Sequence, residues 1–238
     1  LRDLDTPEHV GDQAARRTLR RLGARRVPTC RVPVIYEAPV ASSLLGHFIS
    51  AISGGALYRK ASFLLDHLDK KIFPEFVRIH EQPLIMGGMG SAAFDGEGVA
   101  TSARDIVSDG ILRGYVLGSY SARRLELQTT GNAGGVHNLT IDTGDQNLEQ
   151  MISGIDEGFL VTELIGFGIN NVTGDYSRGA AGLWIENGEI AYPVEEVTVA
   201  GNLKDIFQNI AAIGNDVDPR RSTRCGSILV EGLTIAGD

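Results

Sequence analysis

The segment "GLWIENGEIAYPVEEVTV", residues 182–199, places the dipeptide Asn187-Gly188 between two β-rich stretches. A two-residue type I′ turn requires positive φ angles at both central positions, and Asn-Gly adopts them readily. The sequence therefore predicts a β-hairpin in this segment. A second hairpin is predicted over residues 104–118, where Ser108-Asp109-Gly110 separates two shorter β-rich runs.

Glycine is spread through the whole sequence, with 30 glycines in 238 residues, which indicates many turns and short strands rather than a helical bundle. Strands and helices are mixed without regular βαβ spacing. We therefore assign the chain to the α+β class, with mostly antiparallel sheets and several packed helices in a single large domain. The elements expected are a strand over 31–39 closed by proline, a helix over 40–52 stopped by Gly54-Gly55, and helices over 119–127, 146–154 and 202–213.

A further helix is predicted near the start of the chain. Thr6-Pro7-Glu8 has the features of a helix N-terminus, with a capping hydroxyl, a proline at the first helical position and an acid in the first turn. Gly23 could end this helix. An apolar side is expected for it, formed by Val10, Ala14, Leu19 and Leu22.

The charge and hydropathy of the chain disfavour two classes of partner. A net charge of −8 and a pI of about 5.2 argue against nucleic acid, because binding phosphate needs a basic surface. Residues 16–31 are a local exception with seven arginines and no acid, and we interpret them as a solvated basic face. No apolar run approaches the roughly 20 residues needed to cross a membrane, so no membrane association is expected.

Two motif-like segments fail on their spacing, and one histidine stays ambiguous. His80-Glu81 could begin a zinc-peptidase helix, but Pro83 would interrupt that helix and no second histidine follows at helical spacing. The glycine-rich residues 87–98 lack the Lys-Ser/Thr of a phosphate-binding loop and are interpreted as a connector. His47, in "SSLLGHFIS", lies within an apolar predicted helix and could be a core residue or part of a site.

The two cysteines, Cys30 and Cys225, lie far apart and form no CxxC pattern, which favours reduced thiols in a cytosolic protein. Cys225 has arginines at positions 220, 221 and 224 near it in sequence. Their charges could lower its pKa and favour the thiolate, although a buried structural thiol is the ordinary interpretation.

Several segments share a family resemblance: "TGNAGGVHN" (130–138), "VTELIGFGIN" (161–170), residues 173–206 and "RCGSILV" (224–230). Together with residues 46–66 they resemble the TldD/PmbA family, whose members were once named modulators of DNA gyrase. The likeness is greatest to the PmbA/TldE subunit. It implies that residues 1–238 are the family's C-terminal metallopeptidase-like domain. The chain begins at Leu1, and we expect the family's N-terminal domain to be absent from it.

The resemblance also bears on metal binding. In this family the TldD subunit carries a zinc-binding HExxxH helix and a cysteine ligand near its C-terminus. Laid on this sequence, the first histidine falls on Ser42, the glutamate on Ser43 and the second histidine on His47, while the cysteine falls on Cys225. Catalytic zinc needs about three protein ligands and a base. We therefore expect no catalytic residue, metal or cofactor in this chain, and zinc only in a TldD partner.

The resemblance implies a function for the chain as a non-catalytic subunit. It would pair with a TldD-like catalytic chain in the cytoplasm, as a heterodimer that trims or degrades unstructured peptides such as a microcin precursor or an antitoxin. An extended peptide is the expected substrate, and the isolated chain could form a homodimer. The surface facing partner or substrate is expected to include Gly134, Gly135, Asp175, Tyr176 and Arg178.

Two other functions stay open on the sequence. The chain could be a self-sufficient hydrolase that uses His47 and Cys225 with a third metal ligand, or Cys225 as nucleophile. It could instead be a regulator that binds DNA gyrase or DNA, as the older family name suggests.

Overall fold

The computed structural model describes residues 4–237. Within them lie six helices, α1 Pro7–Leu19, α2 Ala38–Ala51, α3 Gly54–Tyr58, α4 Ser119–Arg124, α5 Leu148–Ser153 and α6 Leu203–Gln208. The strands are β1 Cys30–Tyr36, β2 Ile79–Glu81, β3 Arg104–Ser108, β4 Ile111–Leu112, β5 Leu139–Ile141, β6 Glu157–Ile165, β7 Asp175–Glu186, β8 Glu189–Asn202, β9 Ile210–Ile213 and β10 Ile228–Ala236. No helix among these residues is long and apolar enough to cross a membrane.

The main sheet closes on itself. Its strand order is β1-β6-β7-β8-β10-β9, and β10 also pairs with β1. Only β1 and β6 run parallel; the other pairs are antiparallel. A second sheet has the order β4-β3-β2-β5 and is antiparallel throughout. The α+β assignment with mostly antiparallel sheets is confirmed.

Both predicted hairpins form with the expected turns. Asn187 and Gly188 have φ angles of 52° and 79° between β7 and β8, and Asp109 and Gly110 have 54° and 71° between β3 and β4. These positive angles are those of type I′ turns. Gly110 is needed for a second reason, because a Cβ there would lie 2.2 Å from the carbonyl oxygen of Phe73.

One large core joins the two sheets. Side chains of β1 alternate in direction, so Val34 and Tyr36 belong to this core, whereas Ile35 belongs to a smaller cluster beneath α5. The apolar face of α2 covers the large core, where Phe48 packs edge-on against Phe73 with ring centroids 5.2 Å apart. Because residues of both sheets share this core, they form a single domain.

Several element boundaries differ from the sequence prediction. Residues 210–213 were expected to extend a helix, but they form β9 and pair with β10. A short apolar run can form either a helix or a strand. Here it forms a strand, because it pairs with residues 228–230 of β10. Pro39 lies in the first turn of α2 instead of closing β1. Gly54-Gly55 lies in α3, and Gly54 is required there because a Cβ would meet the Ser121 hydroxyl.

Helix α1 begins as predicted but packs differently. The Thr6 hydroxyl accepts a hydrogen bond from the His9 amide (3.2 Å). The expected apolar side is not buried, since Val10, Leu19 and Leu22 are 54%, 63% and 68% exposed. The helix contains no buried residue.

The arginine-rich residues 16–31 are not simply a solvated face. Arg20 pairs with Glu37 at 3.1 Å and Arg21 with Glu163 at 2.5 Å, so both join the segment to the main sheet and the start of α2. Arg26 pairs with Glu196, and Arg25 lies over the ring of Tyr192. The basic charge of this segment is therefore largely used within the chain.

A buried ion pair organises the loop at residues 130–138. Glu81 is 1% exposed and accepts hydrogen bonds from Arg104 Nε (2.7 Å), from Asn132 Nδ2 and from the His137 amide. Arg104 donates in turn to the side chain of Asn132 and to the carbonyl of Tyr115. Glu81 therefore lies on a strand in a structural network, which agrees with the failure of the His80-Glu81 motif.

Replacing Glu81 with glutamine should destabilise the fold by about 3–5 kcal/mol, because the Arg104 guanidinium would stay buried without its counter-charge. Urea unfolding of Glu81→Gln and the parent measures the difference. The matched control is Glu75→Gln. The Glu75 side chain is 84% exposed and its pair with Lys71 is long, at 4.0 Å, so this variant should have the same urea midpoint as the parent. Equal stability of Glu81→Gln and Glu75→Gln would contradict the structural role of this pair.

Candidate functional site

The N-terminus of α2 is anchored by residues near the end of the chain. The Ala38 amide donates to the Ser227 hydroxyl (3.0 Å), which in turn donates to Asp216 (2.7 Å). The Cys225 thiol faces the carbonyl of Ala38 at 3.8 Å. This arrangement fixes where the first turns of α2 place Ser42 and Ser43.

The side chains at the positions matched to a zinc site make different contacts. The Ser42 hydroxyl donates to the carbonyl of Pro39 (3.2 Å), whereas the Ser43 hydroxyl is buried without a partner. His47 packs edge-on against Tyr176, with ring centroids 6.1 Å apart. Residues 4–237 contain no group of three or more His, Cys, Asp or Glu side chains that could hold a metal ion.

Buried polar atoms without hydrogen-bond partners concentrate beside α2. Five of the eight such atoms in residues 4–237 lie here: the Ser43 hydroxyl, His47 Nε2, Arg178 Nε, and the hydroxyls of Tyr36 and Tyr176, which interact with each other. Such atoms are uncommon in native proteins and mark places that call for an explanation. No sequence motif pointed to Tyr36 as a residue of this cluster. The one available signal was its position just before the helix that carries Ser42.

The titratable groups of this cluster are held in their neutral forms. Burial, and then the positive charge of Arg178, lower the pKa of His47. Burial raises the pKa of Tyr36 well above its ordinary value, helped by the neighbouring Tyr176. Burial likewise raises the pKa of Tyr176. The only full charge in the cluster is therefore the guanidinium of Arg178.

Cys225 is not an activated thiol. Burial, followed by the negative charge of Asp216, raises its pKa to about 12, and the opposing effect of Arg221 is smaller. Arg220 is engaged with Asp218, at 2.8 Å between Nε and Oδ1. Cys225 is therefore the buried thiol of the ordinary interpretation, and the thiolate alternative is not supported because desolvation outweighs the charge of Arg221.

An open cleft of about 780 Å³ lies against the first turns of α2; we call it the α2 cleft. Glu163 and Leu164 of β6 form part of its wall, and they pair only with β7 because β1 pairs with β6 no further than Val161. The residues that line the cleft are Pro39, Val40, Ser42, Ser43, Met89, Thr162, Glu163, Leu164, Arg178, Arg220, Arg221, Ser222 and Thr223.

The residues expected at a partner or substrate surface are not together. Arg178 lines the α2 cleft, but Tyr176 is only 1% exposed and lies beneath the surface. Asp175 is exposed and accepts a hydrogen bond from the Thr173 hydroxyl (2.6 Å). Gly134 and Gly135 line a different cleft, beside α3 and α4.

Gly134 and Gly135 are needed for their backbone conformation. Their φ angles are +112° and +123°, which residues with side chains rarely adopt. A Cβ at either position would meet no atom within 4 Å, so these two glycines do not serve a close approach of another segment within this chain.

Comparison with known proteins gives a consistent family. A family model described as the PmbA/TldA metallopeptidase C-terminal domain matches residues 29–237. The metalloprotease PmbA of Escherichia coli O157:H7 is 52% identical over 237 residues, covering 100% of this chain and 53% of that protein. A PmbA homologue of Haemophilus influenzae is 45% identical, covering 99% of this chain and 52% of that protein. The chain thus spans about half the length of these relatives.

Solved structures share the fold over nearly the whole chain. A proposed modulator of DNA gyrase from Bacteroides thetaiotaomicron superposes with a TM-score of 0.95 at 36% identity, covering 100% of this chain and 54% of that one. TldE from Thermococcus kodakarensis superposes with a TM-score of 0.85 at 25% identity, covering 97% and 55%.

The Cys225 thiol should be unreactive in the folded protein, because it is buried and protonated. Cys30 is partly exposed, so the test uses a Cys30→Ser variant in which Cys225 is the remaining thiol of residues 1–238. We expect Ellman's reagent at mildly alkaline pH to label this variant only after urea is added. Rapid stoichiometric labelling without urea would show that the thiol is accessible and ionised.

The stability of the protein should fall on mild acidification partly through His47. Its folded-state pKa is lowered from 6.5, so the unfolded chain binds this proton at higher pH and stability is lost as the pH falls from about 6.5 towards the folded-state pKa. Urea midpoints measured between about pH 7.5 and pH 5.5 should decrease less in His47→Gln than in the parent. Identical decreases in both proteins would exclude a contribution from His47.

Proposed function

The chain belongs to the family described as the PmbA/TldA metallopeptidase C-terminal domain, and we propose that it serves as the non-catalytic subunit of a two-chain zinc peptidase. The observation that supports this most is the pair of serines at positions 42 and 43 in the wall of the α2 cleft. A peptidase site would need a metal ligand and a base there. A serine hydroxyl is a poor ligand for zinc and a far weaker base than a carboxylate at neutral pH.

The other residues present do not fit a catalytic zinc ion. A catalytic zinc ion needs about three protein ligands and a base that activates its water. His47 supplies one imidazole, and no carboxylate joins His47 and Cys225 in a group that could bind metal within residues 4–237. We therefore assign no hydrolytic step to this chain.

The proposed role is to complete the substrate channel of a TldD-like partner in the cytoplasm. An extended, unstructured peptide can add to an unpaired strand edge, where main-chain hydrogen bonds bind it without regard to its side chains. Glu163 and Leu164 of β6 offer such an edge in the wall of the α2 cleft. This arrangement supports a subunit that holds peptide while the partner supplies the metal.

The two other functions receive less support. A self-sufficient hydrolase needs an ionised Cys225 or a third metal ligand, and neither agrees with the surroundings of that residue. A direct DNA contact would need free basic charge, but Arg20, Arg21 and Arg26 of the arginine-rich segment pair with glutamates of the same chain.

Peptidase activity should require both this protein and an HExxxH-bearing relative, because the relative would carry the zinc site and this chain would complete the substrate channel. The test mixes the two purified proteins and follows cleavage of an unstructured peptide. Ser42→Ala and Ser43→Ala in this chain should retain activity within about twofold of the parent mixture, since neither serine is assigned a chemical step.

Metal analysis separates this proposal from its rival. We expect far less than one zinc per chain after dialysis of the protein alone against a weak chelator. A full equivalent of zinc that is lost in His47→Ala or Cys225→Ala would favour the self-sufficient hydrolase. Full activity of the HExxxH relative without this protein would refute the proposal that both chains are needed.

A further inference from the structure

The α2 cleft has an excess of positive charge that the chain does not neutralise. Three arginines line it, at positions 178, 220 and 221, against a single carboxylate, Glu163. Glu163 is paired with Arg21, and Arg220 makes a two-pronged pair with Asp218 at 2.8 and 2.9 Å. Neither Arg178 nor Arg221 forms an ion pair with an Asp or Glu side chain within residues 4–237, although the charge of Arg221 also acts on Asp218, which Arg220 already binds. This is notable in a chain whose net charge is −8.

Arg178 is the less accessible of the two. It follows Tyr176 by two positions on β7 and shares its inward direction, and its Nε is buried without a hydrogen-bond partner. Its charge acts on Tyr36, His47 and Tyr176, all of which are neutral. A partly buried guanidinium without a counter-charge lowers the stability of the folded protein. A bound ligand with a negative charge would offset this cost.

Arg221 approaches the same cleft from the segment before β10. It is exposed, and its Nη1 lies 3.5 Å from the Ser42 hydroxyl, too long for a strong hydrogen bond. The guanidinium therefore reaches α2 while most of its donors remain available. A planar guanidinium binds a carboxylate through two parallel hydrogen bonds.

We propose that the α2 cleft binds the C-terminal carboxylate of an extended peptide, which Arg178 and Arg221 neutralise. A free inorganic anion is a poorer match, because the cleft measures about 780 Å³ and also presents apolar side chains, among them Val40, Met89 and Leu164. The unpaired edge of β6 can hold the peptide backbone that leads to the carboxylate. The inference rests on the proposed peptide-binding role and adds the end of the peptide that this subunit recognises.

The test measures binding to this protein alone, without partner or zinc. The probe is an N-terminally dansylated, apolar hexapeptide prepared as the free acid and as the C-terminal amide, and fluorescence anisotropy gives each Kd. We expect the acid to bind at least tenfold more tightly than the amide. Arg221→Gln should remove most of this preference, and because Arg221 is exposed the variant should fold like the parent. Arg178→Gln should also remove the preference. Arg178→Lys should keep part of it.

The control variant is Arg113→Gln, which removes an exposed arginine of the second-sheet region and should leave the preference unchanged. Melting temperatures verify that each variant is folded. Equal affinity for acid and amide, or a preference that survives both Arg178→Gln and Arg221→Gln, would overturn the proposal. Inorganic phosphate that displaces the peptide acid at equal concentration would overturn it too, by showing a general anion site. Because no partner is present, these results are independent of whether two chains are needed for hydrolysis.

Discussion

Closure of the main sheet through β1 is the constraint on which the rest of the structure depends. This strand pairs with β10 along one side and with β6 along the other, and its residues 34–36 are fully buried. The chain passes directly from Tyr36 into α2, so the position of β1 fixes where that helix starts. The contacts of Cys225 and Ser227 with Ala38 then hold its first turn. Ser42, Ser43 and the α2 cleft follow from this geometry.

Polar groups are treated in opposite ways in two parts of the domain. Around Glu81 every carboxylate and amide group named above has partners, and the network holds the loop that contains Gly134 and Gly135. Beside α2, buried hydroxyls and Arg178 Nε are left without partners. A satisfied buried network stabilises a loop, whereas unsatisfied groups lower stability and are retained where they serve a ligand. The contrast holds for the carboxylate and amide groups only, since His80 Nδ1 and His137 Nε2 near the Glu81 network are also buried without partners.

The chemistry of the candidate site is that of binding more than of catalysis. His47 and the two tyrosines are neutral, the Cys225 thiol is protonated, and the groups that remain charged in the cleft are arginines and Glu163. Such a set can neutralise and orient a substrate, whereas the His47 imidazole packs against Tyr176 and the Glu163 carboxylate is paired with Arg21. This supports the proposed role, in which a partner would perform the reaction.

The sequence by itself determined the features that depend on neighbouring residues. The turns at Asn187-Gly188 and Asp109-Gly110, the Thr6 cap and the existence of α2 were all predictable, because φ angles and capping hydrogen bonds are set within a few residues. The match of Ser42 and Ser43 to zinc-site positions came from the family resemblance and stays a prediction.

Features that depend on burial or on contacts between residues far apart in sequence became visible only in the three-dimensional structure. It showed that the apolar side of α1 is exposed, that residues 210–213 pair with β10, and that Tyr176 is buried next to His47. It also showed that burial and Asp216 outweigh the effect of Arg221 on Cys225, because the pKa of a thiol follows its desolvation and the charges around it in space. Neither quantity can be read from positions along the chain, since residues far apart in sequence supply both.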